Sequence, residues 1–179
     1  FPPAGAITDF AKALGDAHTG DLAAAKTEID KLAATRDALK PKEKYWSSQV
    51  EVQRLAAAAA LDQAAGRHDE AVEEMRAAAD LDDTMDKANV TPGDILPPRE
   101  LLGDLLLEQK KPAAALAEYK RSLAAAPNRF RSLIGEARAA KEAGDSAEAH
   151  ETYRKLLAQC PSAAPERPEL AEAKAYLTN

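Results

Sequence analysis

The side chains able to do chemistry are few and scattered. His18, His68 and His150 are the only imidazoles in 179 residues, and none stands beside a serine or cysteine in a nucleophile motif. Each falls near a helix end or turn, where a surface or half-buried imidazole needs no catalytic task. Cys160 is the one cysteine, which excludes an internal disulfide and any cysteine-built zinc cluster. Nothing near it in sequence would depress its pKa toward a reactive thiolate, so packing beside Pro161 is the expectation. The densest carboxylate group is Asp80, Asp82, Asp83 and Asp86. A calcium loop alternates its ligands, turns on a central glycine and closes on Glu. Asp86 stands near the glycine position and Thr91 in place of the closing Glu, so the group reads as a solvated helix end. No glycine-rich phosphate loop is present. The expectation is therefore no catalytic residue, no metal and no cofactor.

Composition narrows the partners. The formal net charge is −6, which lends no support to a nucleic-acid or anionic-membrane surface. No apolar run approaches the ~18 residues of a membrane-spanning helix. The chain opens on Phe1-Pro2-Pro3 without Met, so a longer parent protein is expected. The compartment, cytoplasmic or exported, is left open by that start.

The elements that must position these residues are helices. Aromatic residues are 4% of the chain and apolar ones 45%, the latter mostly Ala and Leu, which favours helix over sheet. Pro2 and Pro3 suggest an extended entry, and Thr8 or Asp9 a cap for a helix over roughly 7–18, with Ile7, Phe10, Ala13 and Leu14 inward. Gly20 ends it and Asp21 caps the next, about 21–38, which carries Leu22, Ala25, Ile29 and Leu32. A long helix follows Pro41, about 42–65, opened by Tyr45 and Trp46, which read as core filling. It stops at Gly66, and its partner spans about 69–81. Thr91-Pro92-Gly93-Asp94 is a turn signal. Pro98 and Pro112 suit first turns of helices ending near Gln109 and Ala125. Asn128 is the expected cap of a helix to about 143, and Gly144-Asp145 the turn before 146–159. A last helix near 168–178 has Leu170, Ala173 and Leu177 inward and Glu169, Glu172 and Lys174 outward.

These helices repeat. A shift of 34 residues places Gly103 on Ala137, Ala115 on Ala149, Tyr119 on Tyr153 and Pro127 on Pro161. A helix-turn-helix unit of this length is the grammar of an α-solenoid, whose pairs must stack to bury their apolar faces. Ala13, Ala25 and Ile29, then Ala59, Ala71 and Met75, keep part of the spacing. The reading is one all-α domain over 1–179, with pairs near 7–38, 42–82, 97–126 and 128–160 and a capping helix at 168–178.

Leu102-Gly103, Leu106, Ala115, Tyr119 and Pro127, followed by Leu133, Ala137, Ala149, Tyr153 and Pro161, resemble the tetratricopeptide repeat. The usual aromatic at the start of the first helix is Arg99 here, and the usual Tyr later in that helix is Leu106. Segments such as Tyr45-Trp-Ser-Ser-Gln-Val-Glu-Val-Gln-Arg-Leu and Arg99-Glu-Leu-Leu-Gly-Asp are similar to the C-terminal part of large uncharacterised bacterial tetratricopeptide-repeat proteins. The resemblance implies a right-handed solenoid whose first helices line a concave face. On that face it implies Glu100, Asp104, Leu107 and Glu108 from one unit and Arg131, Ile134, Arg138 and Lys141 from the next. Gln53, Ala56, Ala60 and Gln63 would do so earlier; Ala56 and Ala60 stand where a carboxylate clamp would need Lys and Asn. The implied role is a noncatalytic scaffold for a protein or peptide. The alternative is a C-terminal module docking on upstream repeats of its own parent, and a metal-binding or enzymatic accessory domain is the distant third.

Overall fold

The structure, a computed structural model, describes residues 2–85, 96–160 and 167–178. Among these there are nine helices and no strand. They are α1 (Pro2–Thr19), α2 (Leu22–Leu39), α3 (Lys44–Ala64), α4 (His68–Asp83), α5 (Pro98–Glu108), α6 (Pro112–Ala125), α7 (Phe130–Glu142), α8 (Ser146–Gln159) and α9 (Pro168–Thr178). In the first half α1 packs on α2, α2 on α3, α3 on α4 and α1 on α3; in the second, α6 packs on α7, α7 on α8 and α8 on α9. The chain forms two compact units, 1–98 and 99–179. The expected turn at Thr91-Pro92-Gly93-Asp94, Asp86, and the prolines Pro161 and Pro165 lie outside the described residues.

The turns inside the four pairs are one device used four times. Gly20, Gly66, Lys110 and Gly144 have φ of 85°, 78°, 58° and 82°. At each, the left-handed residue donates its N–H three residues back, and its successor donates five back. In the third turn Lys110 donates to Leu107 O at 3.0 Å and Lys111 to Leu106 O at 2.8 Å. This double closure satisfies carbonyls that a helix end leaves bare. Five residues after each left-handed position stands Ala25, Ala71, Ala115 or Ala149. Each alanine N–H donates at 3.0 Å to the residue just after that position. All four alanines are fully buried. Asp21 and Asp145 add side-chain caps, accepting from the N–H of Ala24 and Glu148.

Three local expectations are corrected. The helix α1 already includes Pro2 and Pro3, because first-turn prolines lack only N–H groups that would be unbonded there. Thr8 and Asp9 are thus interior residues, not caps. Asn128 does not cap α7: it holds a left-handed φ of 67°, and Arg129, extended at φ −64° and ψ 119°, is the residue before the helix. Ile7 and Leu22 are exposed, at 42% and 36%. The buried stripe of α1 runs Pro3, Ala6, Phe10, Ala13 and Ala17, and Ile7 sits one position, about 100°, off it.

In unit 99–179 the packing centres on two tyrosines. Tyr119 and Tyr153 are both fully buried. A Cβ at Gly103 would lie 2.8 Å from the Tyr119 ring, and one at Gly135 only 2.3 Å from it. The ring is therefore wedged against the backbones of α5 and α7, and glycine is what lets them approach. Tyr153 lies in an apolar cluster with Leu133, Ile134, Ala137, Leu156, Leu170 and Ala173. In unit 1–98 the core is Phe10, Ala13, Ile29, Leu32, Val50, Ala57, Ala59, Met75 and Ala78. Tyr45 and Trp46 meet edge to face at 5.2 Å and are only half-buried.

Candidate functional site

Residues seven apart on a helix share a face, so Arg131 and Arg138 form one stripe on α7. Facing Arg131 is α5, and facing Arg138 is α9. Glu100, on α5, is fully buried and accepts from three directions. Arg129 donates from Nε at 2.8 Å, Ser132 from Oγ at 2.7 Å, and Arg131 Nε lies 3.3 Å away. The Ser132 hydroxyl also meets the Ser122 hydroxyl at 2.9 Å. A buried carboxylate is tolerable only with such a full set of donors.

The same chemical group then occurs twice. Tyr119 donates its hydroxyl to Asp104 Oδ1 at 2.5 Å, and Arg131 Nη2 donates to Asp104 Oδ2 at 2.8 Å. Tyr153 donates its hydroxyl to Glu172 Oε1 at 2.7 Å, and Arg138 grips both oxygens of Glu172 through Nε and Nη2 at 2.6–3.1 Å. Each is a buried tyrosine, a carboxylate and an arginine. Their origin differs: Asp104 belongs to the pair that supplies Tyr119, whereas Glu172 arrives from α9. Position 138, which is 34 beyond Asp104, carries the arginine instead.

Ionisation follows the contacts. Burial, then the charge of Asp104, pushes the Tyr119 phenol far above its ordinary value. Burial, then the bond to Glu172, does the same to Tyr153. The Arg138 bond holds the Glu172 carboxyl below the ordinary 4.5, helped by Tyr153 and opposed by burial. Asp104 is pushed up by the protein packed around it, although Tyr119 and Arg131 pull the other way. Both tyrosines are therefore neutral donors at physiological pH and do not act as bases.

The residues expected on one face thus have different fates. Glu100 and Ile134 are buried, the first in the donor cage and the second in the core at 6% exposure. Asp104, Arg131 and Arg138 are half-exposed, at 40%, 54% and 44% of their side chains, and paired as described. Lys141 is exposed, with its ammonium 5.6 Å from the centre of the Tyr176 ring. Leu107 is half-buried and Glu108 exposed. Of the earlier set, Ala56 is buried and Gln63 Oε1 lies 2.9 Å from His68 Nδ1.

Several partners had no simple sequence signal. Arg99, where the resemblance expects an aromatic, is 7% exposed and donates to Glu118 of α6 at 3.0 Å. A charge at a core position, with an opposite charge at another, was the available clue. Glu172, expected on the outer side of α9, turns inward onto Arg138 and Tyr153. Gly135, absent from the 34-residue register, is the tighter of the two glycines against Tyr119.

Unit 1–98 carries a smaller polar group. Glu51 accepts from Arg36 at 2.7 Å and from Arg54 at 2.8 Å. Burial opposes its ionisation, but the two guanidinium groups hold its carboxyl below the ordinary value. Arg36 and Glu51 line a cleft of about 440 Å³ with Asp37, Lys40, Ser47 and Ser48. Cys160 is half-buried at the end of α8. Among the described residues, no three His, Cys, Asp or Glu side chains converge as metal ligands would. Among them, too, no helix is long and apolar enough to cross a membrane. Neither the protein-family models nor the curated proteins compared with the chain match it.

Proposed function

We propose that the chain is a tetratricopeptide-type α-solenoid and that its task is to bind a protein or peptide, without catalysis, on the face formed by α5 and α7. The architectural part is supported by the four identical pair turns, the alanine five residues after each, and the tyrosines wedged between successive pairs. The functional part is carried by one observation. Arg131 and Arg138 stand on one stripe, about half exposed, each already held in place by a carboxylate. Charged groups pre-positioned in this way lose little freedom on meeting a partner. Arg131, Arg138 and Lys141 then present cationic groups, with Asp104 and Glu108 as the acidic margin. The site's chemistry is recognition of a polar, partly acidic surface and involves no cofactor.

The test is affinity capture with the wild-type chain and with Lys141→Glu and Arg131→Gln variants. Lys141→Glu leaves every ion pair described above intact, so lost capture there reports the surface and not the fold. Equal recovery of every partner by all three chains removes the proposal.

A second reading has its own support. Among the described residues, Ile7 on α1 and Leu22 on α2 are the large apolar side chains most exposed to solvent. Exposed apolar side chains on the first helix pair suit docking by another helix pair of a longer parent protein. Ile7→Lys/Leu22→Lys would then weaken attachment to those repeats and leave capture through α7 unchanged.

A further inference from the structure

The two tyrosine clusters differ in what they contain before anything docks on them. At the α5–α6 end, Tyr119 finds its acceptor within its own pair, in Asp104. At the α7–α8 end, the buried Tyr153 hydroxyl and the Arg138 guanidinium have no acid within their own pair to share. A buried phenol and a partly buried guanidinium both require an acceptor. Glu172 of α9 supplies it. One turn later Tyr176 packs on Tyr153 at a 40° tilt, with ring centres 4.8 Å apart, and its ring centre lies 5.7 Å from that of His150. The Lys141 ammonium sits 5.6 Å from the centre of the same ring. The apolar part of α9 that is fully buried is small, Leu170 at 2% and Ala173 at 0% exposure, with Tyr176 and Leu177 packed half-buried against the same core.

We infer that the α7–α8 surface is a receptor for an acidic–aromatic helical turn, Glu-x-x-x-Tyr, and that α9 fills it as a displaceable internal ligand. The partner it fits is a helix of another protein that carries a carboxylate and, four residues on, an aromatic ring. Such a helix would replace Glu172 on Arg138 and Tyr153, and Tyr176 under Lys141. The inference rests on reading this face as a recognition surface, but it identifies the partner's chemistry and a competitor built into the chain. A segment tethered by a short connection acts at about millimolar effective concentration. A free helix at about ten micromolar must therefore bind roughly a hundredfold more tightly than α9 to displace it.

Hydrogen exchange of residues 168–178 tests the seating of α9. Arg138→Glu and Glu172→Arg should each speed it about tenfold or more, as loss of a charge-assisted bond does. The double swap should restore it to near the wild-type rate. Unchanged exchange in both single variants overturns the inference. The second arm uses a labelled synthetic peptide of residues 167–178 with the full chain carrying Leu170→Asp/Glu172→Ala/Tyr176→Ala, which releases α9. The peptide should bind this chain at one to one, and a Glu172→Ala peptide about tenfold more weakly. It should not bind the wild type at tens of micromolar. No binding to the released chain, or equal binding of the two peptides, overturns the inference. A chain that rebinds the peptide yet captures no partner keeps this inference and removes the function proposed above.

Discussion

Replacing Gly135 by alanine should destabilise unit 99–179, although alanine is the better helix former. Gly135 lies inside α7 with ordinary helical geometry, so propensity alone favours alanine by about 1 kcal/mol. The new Cβ, however, would stand 2.3 Å from Tyr119 Cε1 and 2.4 Å from Cζ, where ordinary contact begins at 3.4 Å. The ring would have to retreat by about an ångström. Its retreat is restricted: the same ring edge also lies against Gly103 of α5, and its hydroxyl is tied to Asp104 at 2.5 Å. Overpacking of this kind costs about 1–3 kcal/mol, which exceeds the propensity gain at the upper end and cancels it at the lower. The expected net loss is up to about 2 kcal/mol, read from urea unfolding followed by far-ultraviolet circular dichroism. Gly5 and Gly15 of α1 are the controls, because a Cβ at either meets nothing within 4 Å. Alanine there should stabilise by about 0.5–1 kcal/mol. In a Tyr119→Leu background the ring is gone, and Gly135→Ala should turn from harmful to neutral or favourable. A Gly135→Ala chain as stable as the Gly15→Ala chain would refute the wedge.

Other expectations follow from the same contacts. Lys110→Gly should raise the unfolding free energy by about 0.5–1 kcal/mol, since a lysine is held at φ 58° in a region that costs a non-glycine residue about 1–2 kcal/mol. Glu118→Ala should cost about 1.5–3 kcal/mol by removing the carboxylate that Arg99 meets at 3.0 Å, whereas Lys26→Ala, whose pair with Asp30 is two-thirds exposed on both sides, should change the unfolding free energy by less than about 0.5 kcal/mol. Acid and base should act oppositely at two carboxyls. Glu172 is held below 4.5 by Arg138, so its contribution is present above that value and is lost as pH falls through its lower folded pKa; exchange of the α9 amides should quicken there. Glu136 is pushed above 4.5, first by burial and then by Glu148, so its contribution is complete below that value and is lost as pH rises through its folded pKa. Glu136→Gln should flatten that part of the urea-midpoint profile against pH.

Local grammar was the legible part. Gly20, Gly66 and Gly144 announced turns because left-handed backbone selects glycine, and Asp21 announced a cap because it bonds within three residues; Asp145, read only as part of a turn, caps α8 in the same way. The alanines at 25, 71, 115 and 149 were visible because each is placed by the turn just before it. Lys110 was not visible as a turn residue, because its φ is imposed by the helices it joins. The candidate face was legible in position but less so in pairing. Arg131 and Arg138 lie on one stripe, as helical period requires, and the idea that acidic and basic stripes pair was available from charge order. Which carboxylate meets which arginine depends on distances 27 and 34 residues apart in sequence, set by packing rather than by local spacing. The inward turn of Glu172 escaped for that reason: on a helical wheel it falls on the polar side of α9, and only the position of Arg138 draws it in. Gly135 escaped because the repeat register has no small residue there; the ring of Tyr119 imposes it.

The most direct test of the recognition face is hydrogen exchange of the full chain with and without a captured partner. Slowed exchange is expected in α5 and α7, with faster exchange in 168–178 where the partner displaces α9. Protection confined to α1–α4, with α5, α7 and α9 unchanged, would contradict it.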